Sequence, residues 1–156
     1  VVAVDISENK LDKARAFGAT HVINAKREDP VAYLHDLTDG VGVDYAVEAV
    51  GNPKTIEQAV ASVRFQTGVC VIAGNPEIVD SCSIDPYYLI KGKRVLGSWG
   101  GETDPDTDIP KYANMFLQGE LDLAKLISRK YSLENVNQAL EDLELGRVTR
   151  AMLEFN

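Results

Sequence analysis

Short apolar runs alternate with amphipathic stretches along the first half of the chain. The runs at residues 1–4, 21–23, 43–50 and 68–74 predict four buried strands. Between them, apolar residues recur at helical spacing, as Leu11, Ala14 and Phe17 do. Strands that alternate with helices favour a parallel sheet with helices on both faces, which is an α/β fold.

Capping residues mark where these helices begin and end. Ser7 can cap the first helix, and Gly18 stands where a glycine ends one. Pro30 opens the second helical pattern. Asn52 can cap the third, with Pro53 at its first position. Local signals therefore predict a helix in each gap between strands.

The pattern changes near residue 80. The predicted elements are a short helical or irregular piece at 84–93, a strand at 94–98, a loop at 100–110, a helix around 112–117, a helix capped by Ser132, and a final strand at 148–155. This part no longer alternates strand with helix, which indicates a second structural region.

Asp5 follows the first apolar run, at the mouth of the predicted sheet. In dinucleotide-binding folds an acid there binds the adenosine ribose hydroxyls, and a glycine-rich turn lies about 20 residues before it. Only four residues precede Asp5, so we expect the chain to be the back part of a longer protein. Position alone leaves open that Asp5 merely caps the next turn.

Composition narrows the classes of function. The net charge of −8 and the pI near 4.7 argue against nucleic acid or an anionic membrane as a partner. No apolar run is long enough to cross a membrane, and we expect a cytoplasmic protein. The isolated Cys70, Cys82, His21 and His35 do not form a zinc-binding pattern.

Small residues follow two of the predicted strands, at Val50-Gly51-Asn52 and at Ala73-Gly74-Asn75. Ligands bind at the carboxyl ends of strands in open α/β sheets, where small residues let a flat ring lie against the backbone. The same residues are equally suited to plain turns. Lys10 could reach the ribose that Asp5 binds, or could be an ordinary exposed lysine.

In their order, these segments resemble the C-terminal part of a medium-chain, zinc-type alcohol dehydrogenase. The stretches that carry the resemblance are AVDISENKLDKARAFGATHVIN, VDYAVEAVG, GVCVIAG, KRVLGSWGG and LELGRVTRAMLEF. The resemblance implies an incomplete Rossmann-type doubly wound parallel sheet in residues 1–98, without its first strand and glycine-rich turn. Residues 99–156 would then be C-terminal helices and strand of the catalytic domain.

The resemblance also implies an NAD site. Its residues would be Asp5 and Lys10 at the adenosine ribose, Ile6 and Val50 at the adenine, Gly51 in the turn beside it, Ala73, Asn75, Ser98 and Trp99 along the nicotinamide, and Arg150 at the pyrophosphate. No catalytic residue and no metal ligand falls within this chain. The family's zinc would be bound by the missing domain, and this chain alone would be inactive.

The expected activity of the parent protein is oxidation of an alcohol to an aldehyde or ketone, by hydride transfer to NAD. Residues about 84–95 would join two subunits of a homo-oligomer. One alternative is a zinc-free quinone or enone reductase of the same superfamily. Asp5 argues against it, because many such reductases use NADPH and need a basic residue there. Another alternative is a non-catalytic nucleotide-binding module.

Overall fold

The computed structural model describes residues 1–155, which form two compact units divided after Glu102. The elements of the first unit are β1 (Val2–Asp5), α1 (Glu8–Ala16), β2 (His21–Asn24), α2 (Pro30–Leu37), β3 (Tyr45–Glu48), α3 (Pro53–Ser62), β4 (Val69–Ile72), α4 (Pro86–Ile90) and β5 (Arg94–Gly97). Those of the second unit are α5 (Pro105–Leu117), β6 (Arg129–Ser132), α6 (Val136–Glu144) and β7 (Ala151–Glu154).

All described strand pairs are parallel. In the first unit β1 pairs with β2, and β3, β4 and β5 form a three-stranded sheet in that order. Asp5 lies opposite Asn24, while Glu48 lies opposite Ile72, and Ile72 opposite Gly97. The predicted α/β fold with parallel strands is confirmed. Hydrogen bonding places β1 and β2 in a separate set from the other three strands.

The main core lies between α3 and the β3–β4–β5 sheet. Val60, Val63 and Cys70 are completely buried there. Burying each apolar side chain of this size contributes about 1.5–3 kcal/mol, which is why α3 keeps its apolar face on the sheet. Leu11 of α1 and Ile23 of β2 are the buried anchors beside β1.

Lys93 is also buried in this core, at 4% exposure. Its Nζ donates to the carbonyl oxygens of Val60 at 2.9 Å and Ala61 at 2.8 Å, near the end of α3. The same ammonium lies 4.0 Å from the ring centre of Tyr88 and 5.0 Å from that of Phe65. Burial lowers the pKa of Lys93. The lysine therefore completes the hydrogen bonding of a helix end that would otherwise expose carbonyls to the core.

Four helices begin in the same way, with an aspartate or asparagine cap followed by proline. The cap oxygens of Asp29, Asn52, Asp85 and Asp104 each accept from the backbone nitrogen two residues on. The predicted cap at Asn52 is confirmed. The cap at Asp104 corrects the predicted loop at 100–110, because it starts α5 at Pro105.

The second unit has a strand that the sequence did not indicate. β6 carries one apolar residue, Tyr131, and pairs in parallel with β7. Its Tyr131 is hydrogen-bonded to Asp142 of α6, which is 2% exposed. Asp142 accepts from the Tyr131 hydroxyl at 2.7 Å and from Arg147 at 3.0 Å. These bonds lower the pKa of Asp142, the Tyr131 hydroxyl having the largest effect.

Candidate functional site

Asp5 closes β1, and its side chain remains 29% exposed at the carboxyl end of the strand. Its Oδ1 accepts from the Ser7 backbone nitrogen at 2.9 Å, and its Oδ2 lies 3.9 Å from Lys10 Nζ. Ile6, the next residue, is 55% exposed. The structure thus brings the predicted residues Asp5, Ile6 and Lys10 together, with the carboxylate accessible to a ligand.

The turns that follow β3 and β4 are in direct contact. A Cβ added to Gly51 would come within 2.6 Å of the Asn75 backbone. One added to Gly74 would overlap the Gly51 backbone nitrogen. The backbone nitrogens of Ala73 and Gly74 donate to the Glu48 carbonyl at 2.8 and 2.9 Å. Both positions therefore require glycine, and the two turns form one surface at the sheet edge.

Side chains around this surface are exposed. Val50 is 69% exposed, and Trp99, after β5, is 86% exposed. The Ser98 backbone nitrogen donates to the Ile72 carbonyl at 2.9 Å, so Ser98 lies beside the end of β4. Because β3, β4 and β5 are parallel, the predicted Val50, Ala73 and Ser98 share one edge of the sheet.

Arg150, the remaining predicted residue, belongs to the second unit and directly precedes β7. Its carbonyl accepts from the Ser128 backbone nitrogen at 2.9 Å. That backbone bond holds the start of β7 and leaves the guanidinium out of the strand pairing. Its predicted contact with a pyrophosphate stays a prediction.

Sequence reasoning missed Glu48, a carboxylate that is 3% exposed at the end of β3. Its Oε1 accepts from the backbone nitrogens of Val50 at 2.9 Å and Gly51 at 3.0 Å, and from the Thr55 hydroxyl at 2.7 Å. A signal was present in the sequence. Glu48 is an acid within the apolar run VDYAVEAV, three residues before a glycine.

The described residues fit a dinucleotide better than a metal ion. A nucleotide needs a hydrogen-bond acceptor for its ribose, and the accessible Asp5 carboxylate at the end of β1 provides one. It also needs open backbone surface, and the glycine turns after β3 and β4 provide that. Within residues 1–155, no group of three or more His, Cys, Asp or Glu side chains could hold a metal. Cys70 is completely buried, and burial raises the pKa of its thiol to about 11.

A cavity of about 550 Å³ lies elsewhere in the first unit. Phe65 and Gln66, which precede β4, line it together with Ile90, Lys91 and Gly92, which precede β5. It therefore opens at the amino ends of these strands, away from the carboxyl edge that carries the candidate site. No helix of the described part is long and apolar enough to cross a membrane.

Comparison with known proteins matches residues 1–118 to the family model described as zinc-binding dehydrogenase. The chain is 29% identical to the probable S-(hydroxymethyl)glutathione dehydrogenase 1 of Schizosaccharomyces pombe and 30% identical to alcohol dehydrogenase-like 5 of Arabidopsis thaliana. Each alignment covers the whole of this chain and 41% of the relative. The chain thus spans about two fifths of the length of these curated relatives.

Solved structures give the same picture. The crystal structure of benzyl alcohol dehydrogenase from Acinetobacter calcoaceticus superposes with a TM-score of 0.93 at 33% identity. The match covers 99% of this chain and 42% of that one. The backbone of this chain is therefore similar to that of the matched part of benzyl alcohol dehydrogenase over nearly its whole length.

Proposed function

Since this chain belongs to the zinc-binding dehydrogenase family, we propose that it is the cofactor-binding part of an NAD-dependent alcohol dehydrogenase. The observation that carries the proposal is the Asp5 carboxylate, accessible at the carboxyl end of a parallel strand. A carboxylate there accepts hydrogen bonds from the ribose 2′- and 3′-hydroxyls and repels a 2′-phosphate, which selects NAD over NADP.

The dinucleotide would lie along the carboxyl edges of the strands. Its proposed contacts are Asp5 and Lys10 at the adenosine ribose, Ile6 and Val50 on the adenine with Gly51 in the turn beside it, Ala73, Asn75, Ser98 and Trp99 along the nicotinamide, and Arg150 at the pyrophosphate. The exposed side chains of Ile6 and Val50 support the adenine contact, because a flat base gains from apolar surface on both faces. A guanidinium fork suits a pyrophosphate geometrically, which supports Arg150.

Bound NAD would supply the hydride acceptor for oxidation of an alcohol to an aldehyde or ketone. This chain would hold the cofactor and orient its nicotinamide, and we assign it no catalytic side chain. The described residues do not fit zinc, so any zinc of the parent enzyme would take its ligands from outside them. Residues 1–98 are proposed as part of the NAD-binding domain, and 99–156 as the end of the catalytic domain.

A homo-oligomer through residues about 84–95 is the proposed assembly. Ile90 is 76% exposed in α4 and Leu96 43% exposed in β5, the strand at the end of the three-stranded sheet. An unpaired strand edge next to apolar side chains supports pairing with a second copy. Sedimentation of the full-length protein as a monomer would contradict it.

The proposal is tested on the full-length protein that contains this sequence. Purified protein is assayed for NADH formation with primary aliphatic and aryl alcohols, and its zinc content is measured. NAD-dependent oxidation by a zinc-containing enzyme supports the proposal. NADPH-dependent reduction of quinones or enones without zinc would favour the zinc-free reductase instead. Nucleotide binding without turnover would favour a non-catalytic module.

A further inference from the structure

Glu48 is an acid buried at the point where the turns after β3 and β4 meet. We propose that Glu48 is a positioning residue, which holds the turn after β3 in the geometry that binds the adenine and, packed against it, the turn after β4 in the geometry that binds the nicotinamide. The proposal rests on the NAD site proposed above. At 3% exposure, the carboxylate has no surface with which to touch a ligand, so it must act through the turns.

Three hydrogen-bond donors surround the Glu48 carboxylate. Glu48 Oε1 accepts from the backbone nitrogens of Val50 and Gly51 and from the Thr55 hydroxyl, and Oε2 lies 3.2 Å from the Gly51 nitrogen. Hydrogen bonds to a charged acceptor are roughly twice as strong as neutral ones. A carboxylate accepts at both oxygens, whereas a glutamine would turn an N–H₂ group toward one of these donors.

Glu48 also contacts the turn after β4. A Cβ at Gly74 would come within 2.7 Å of Glu48 Oε2 as well as overlapping Gly51. The Glu48 carbonyl also accepts from the Ala73 and Gly74 backbone nitrogens. Glu48 therefore bonds the turn after β3 through its side chain and the turn after β4 through its backbone. Movement of its carboxylate would release the turn after β3, and the close contacts of Gly51 with Gly74 and Asn75 would pass the shift to the turn after β4.

The two halves of the dinucleotide would respond differently to a change at Glu48. Asp5, the proposed ribose ligand, stands on β1, in the other set of strands. The turn after β4, with Ala73 and Asn75, faces the proposed nicotinamide position. The turn after β3 carries Val50, the proposed adenine contact, which ADP-ribose would also use. A loosened Glu48 would therefore weaken ADP-ribose through one turn and NADH through both, so the loss should be larger for NADH. Binding sites lose affinity when their supporting residues allow shifts of about 1 Å.

The experiment compares variants of the full-length protein by isothermal titration with NADH and with ADP-ribose. Glu48→Gln is expected to raise the Kd for NADH about tenfold and that for ADP-ribose about threefold or less. The matched control is Asp44→Asn, which removes an exposed carboxylate just before the opposite end of the same strand. It should leave both Kd values unchanged. Circular dichroism confirms that each variant is folded at the titration temperature.

Thr55 provides a milder test if Glu48→Gln does not fold. Thr55→Val removes one donor to Oε1, and a smaller rise in the NADH Kd is expected, about threefold. Thr55→Ser keeps the hydroxyl and should restore binding. A purely structural role would lower thermal stability without changing the Kd of the folded protein.

The outcomes separate this inference from the function on which it rests. If the wild type does not bind NADH, the proposed function fails and the inference fails with it. If the wild type binds NADH and Asp5→Asn weakens it, but the Glu48 and Thr55 variants bind normally, only the positioning role is overturned. Equal weakening of NADH and ADP-ribose would overturn it too.

Discussion

Asp5→Asn separates the charge of the proposed ribose ligand from its shape. The amide oxygen can still accept from the Ser7 nitrogen, as Oδ1 does at 2.9 Å, so the turn into α1 is kept. What changes is the pair of bonds to the ribose hydroxyls: the amide nitrogen that replaces Oδ2 donates where the carboxylate accepted, and the oxygen that remains is uncharged. Bonds to a charged acceptor contribute about 1.5–3 kcal/mol and neutral ones about 0.5–1.5. Losing about 1 kcal/mol from each weakens NADH binding roughly thirtyfold.

The same substitution should improve binding of NADPH. A carboxylate and a phosphate about 4 Å apart repel by about 1 kcal/mol in water and about 4 near a protein surface. Asp5 is partly exposed, so the repulsion lies between these limits. Replacing the carboxylate with an amide would remove it, and Lys10, which lies 3.9 Å from Asp5 Oδ2, would become available to the phosphate. The preference for NADH over NADPH should fall on the order of a hundredfold.

The assay is titration of the full-length protein with NADH and NADPH at low and high salt. The gain in NADPH affinity caused by Asp5→Asn should shrink at high salt, since it is a charge effect. Asp12→Asn is the matched control, because Asp12 lies on the same helix as Lys10, is exposed and pairs with Arg15. An unchanged cofactor preference in Asp5→Asn, or a wild type that prefers NADPH, would refute the assigned role.

Further expectations concern stability and reactivity. Burial raises the pKa of Cys70 from 9.0 to about 11, so the protonated thiol contributes about 2–3 kcal/mol to the free energy of unfolding, a contribution that is complete below pH 9 and lost as pH rises through 11. In urea unfolding, Cys70→Ala should therefore lose less stability at alkaline pH than the wild type. Iodoacetamide should label the exposed Cys82 and spare Cys70 in the folded protein, as mass spectrometry of peptides can check. Lys93→Met should cost about 2 kcal/mol in urea unfolding by leaving the Val60 carbonyl unpaired and the Ala61 carbonyl with its 3.4 Å contact to His35 Nε2, and equal stability would contradict its capping role. The lowered pKa of Asp142 means that its contribution is present above the ordinary pKa of aspartate and is lost as pH falls through the lowered value; wild type should therefore lose more stability on acidification than Asp142→Asn.

Much of the fold was accessible from local patterns. The strands β1 to β5 lie within or beside the predicted apolar runs, and Pro30 and Pro53 occupy the first turns of α2 and α3, as predicted. The sequence predicted that the candidate residues Asp5, Val50 and Ala73 lie at the carboxyl ends of strands. In the structure they stand at, or within two residues after, the ends of β1, β3 and β4. Their contacts with NAD remain predictions.

The structure differs from the sequence-based expectation at residues 100–110 and at β6. The aspartates of residues 100–110 are typical of an exposed loop, although Asp104-Pro105 repeats the cap that starts three other helices. β6 has no periodic signal of its own, because Tyr131 is its one apolar residue. Its formation depends on pairing with β7, which lies more than 20 positions later in the register.

Sequence alone determined the alternation of strand and helix, the cap of α3 at Asn52 and the position of the acid at the first strand end. These follow from interactions between near neighbours, which a pattern of residue types records. The other predicted caps were wrong in part: Ser7 precedes α1 without a side-chain cap bond, and α6 begins after Asn135 and not after Ser132. Tertiary structure decided that Glu48 and Lys93 would be buried and satisfied. The partners of Lys93 lie more than 30 residues away, and a buried charge is stable only when folding brings its partners to it.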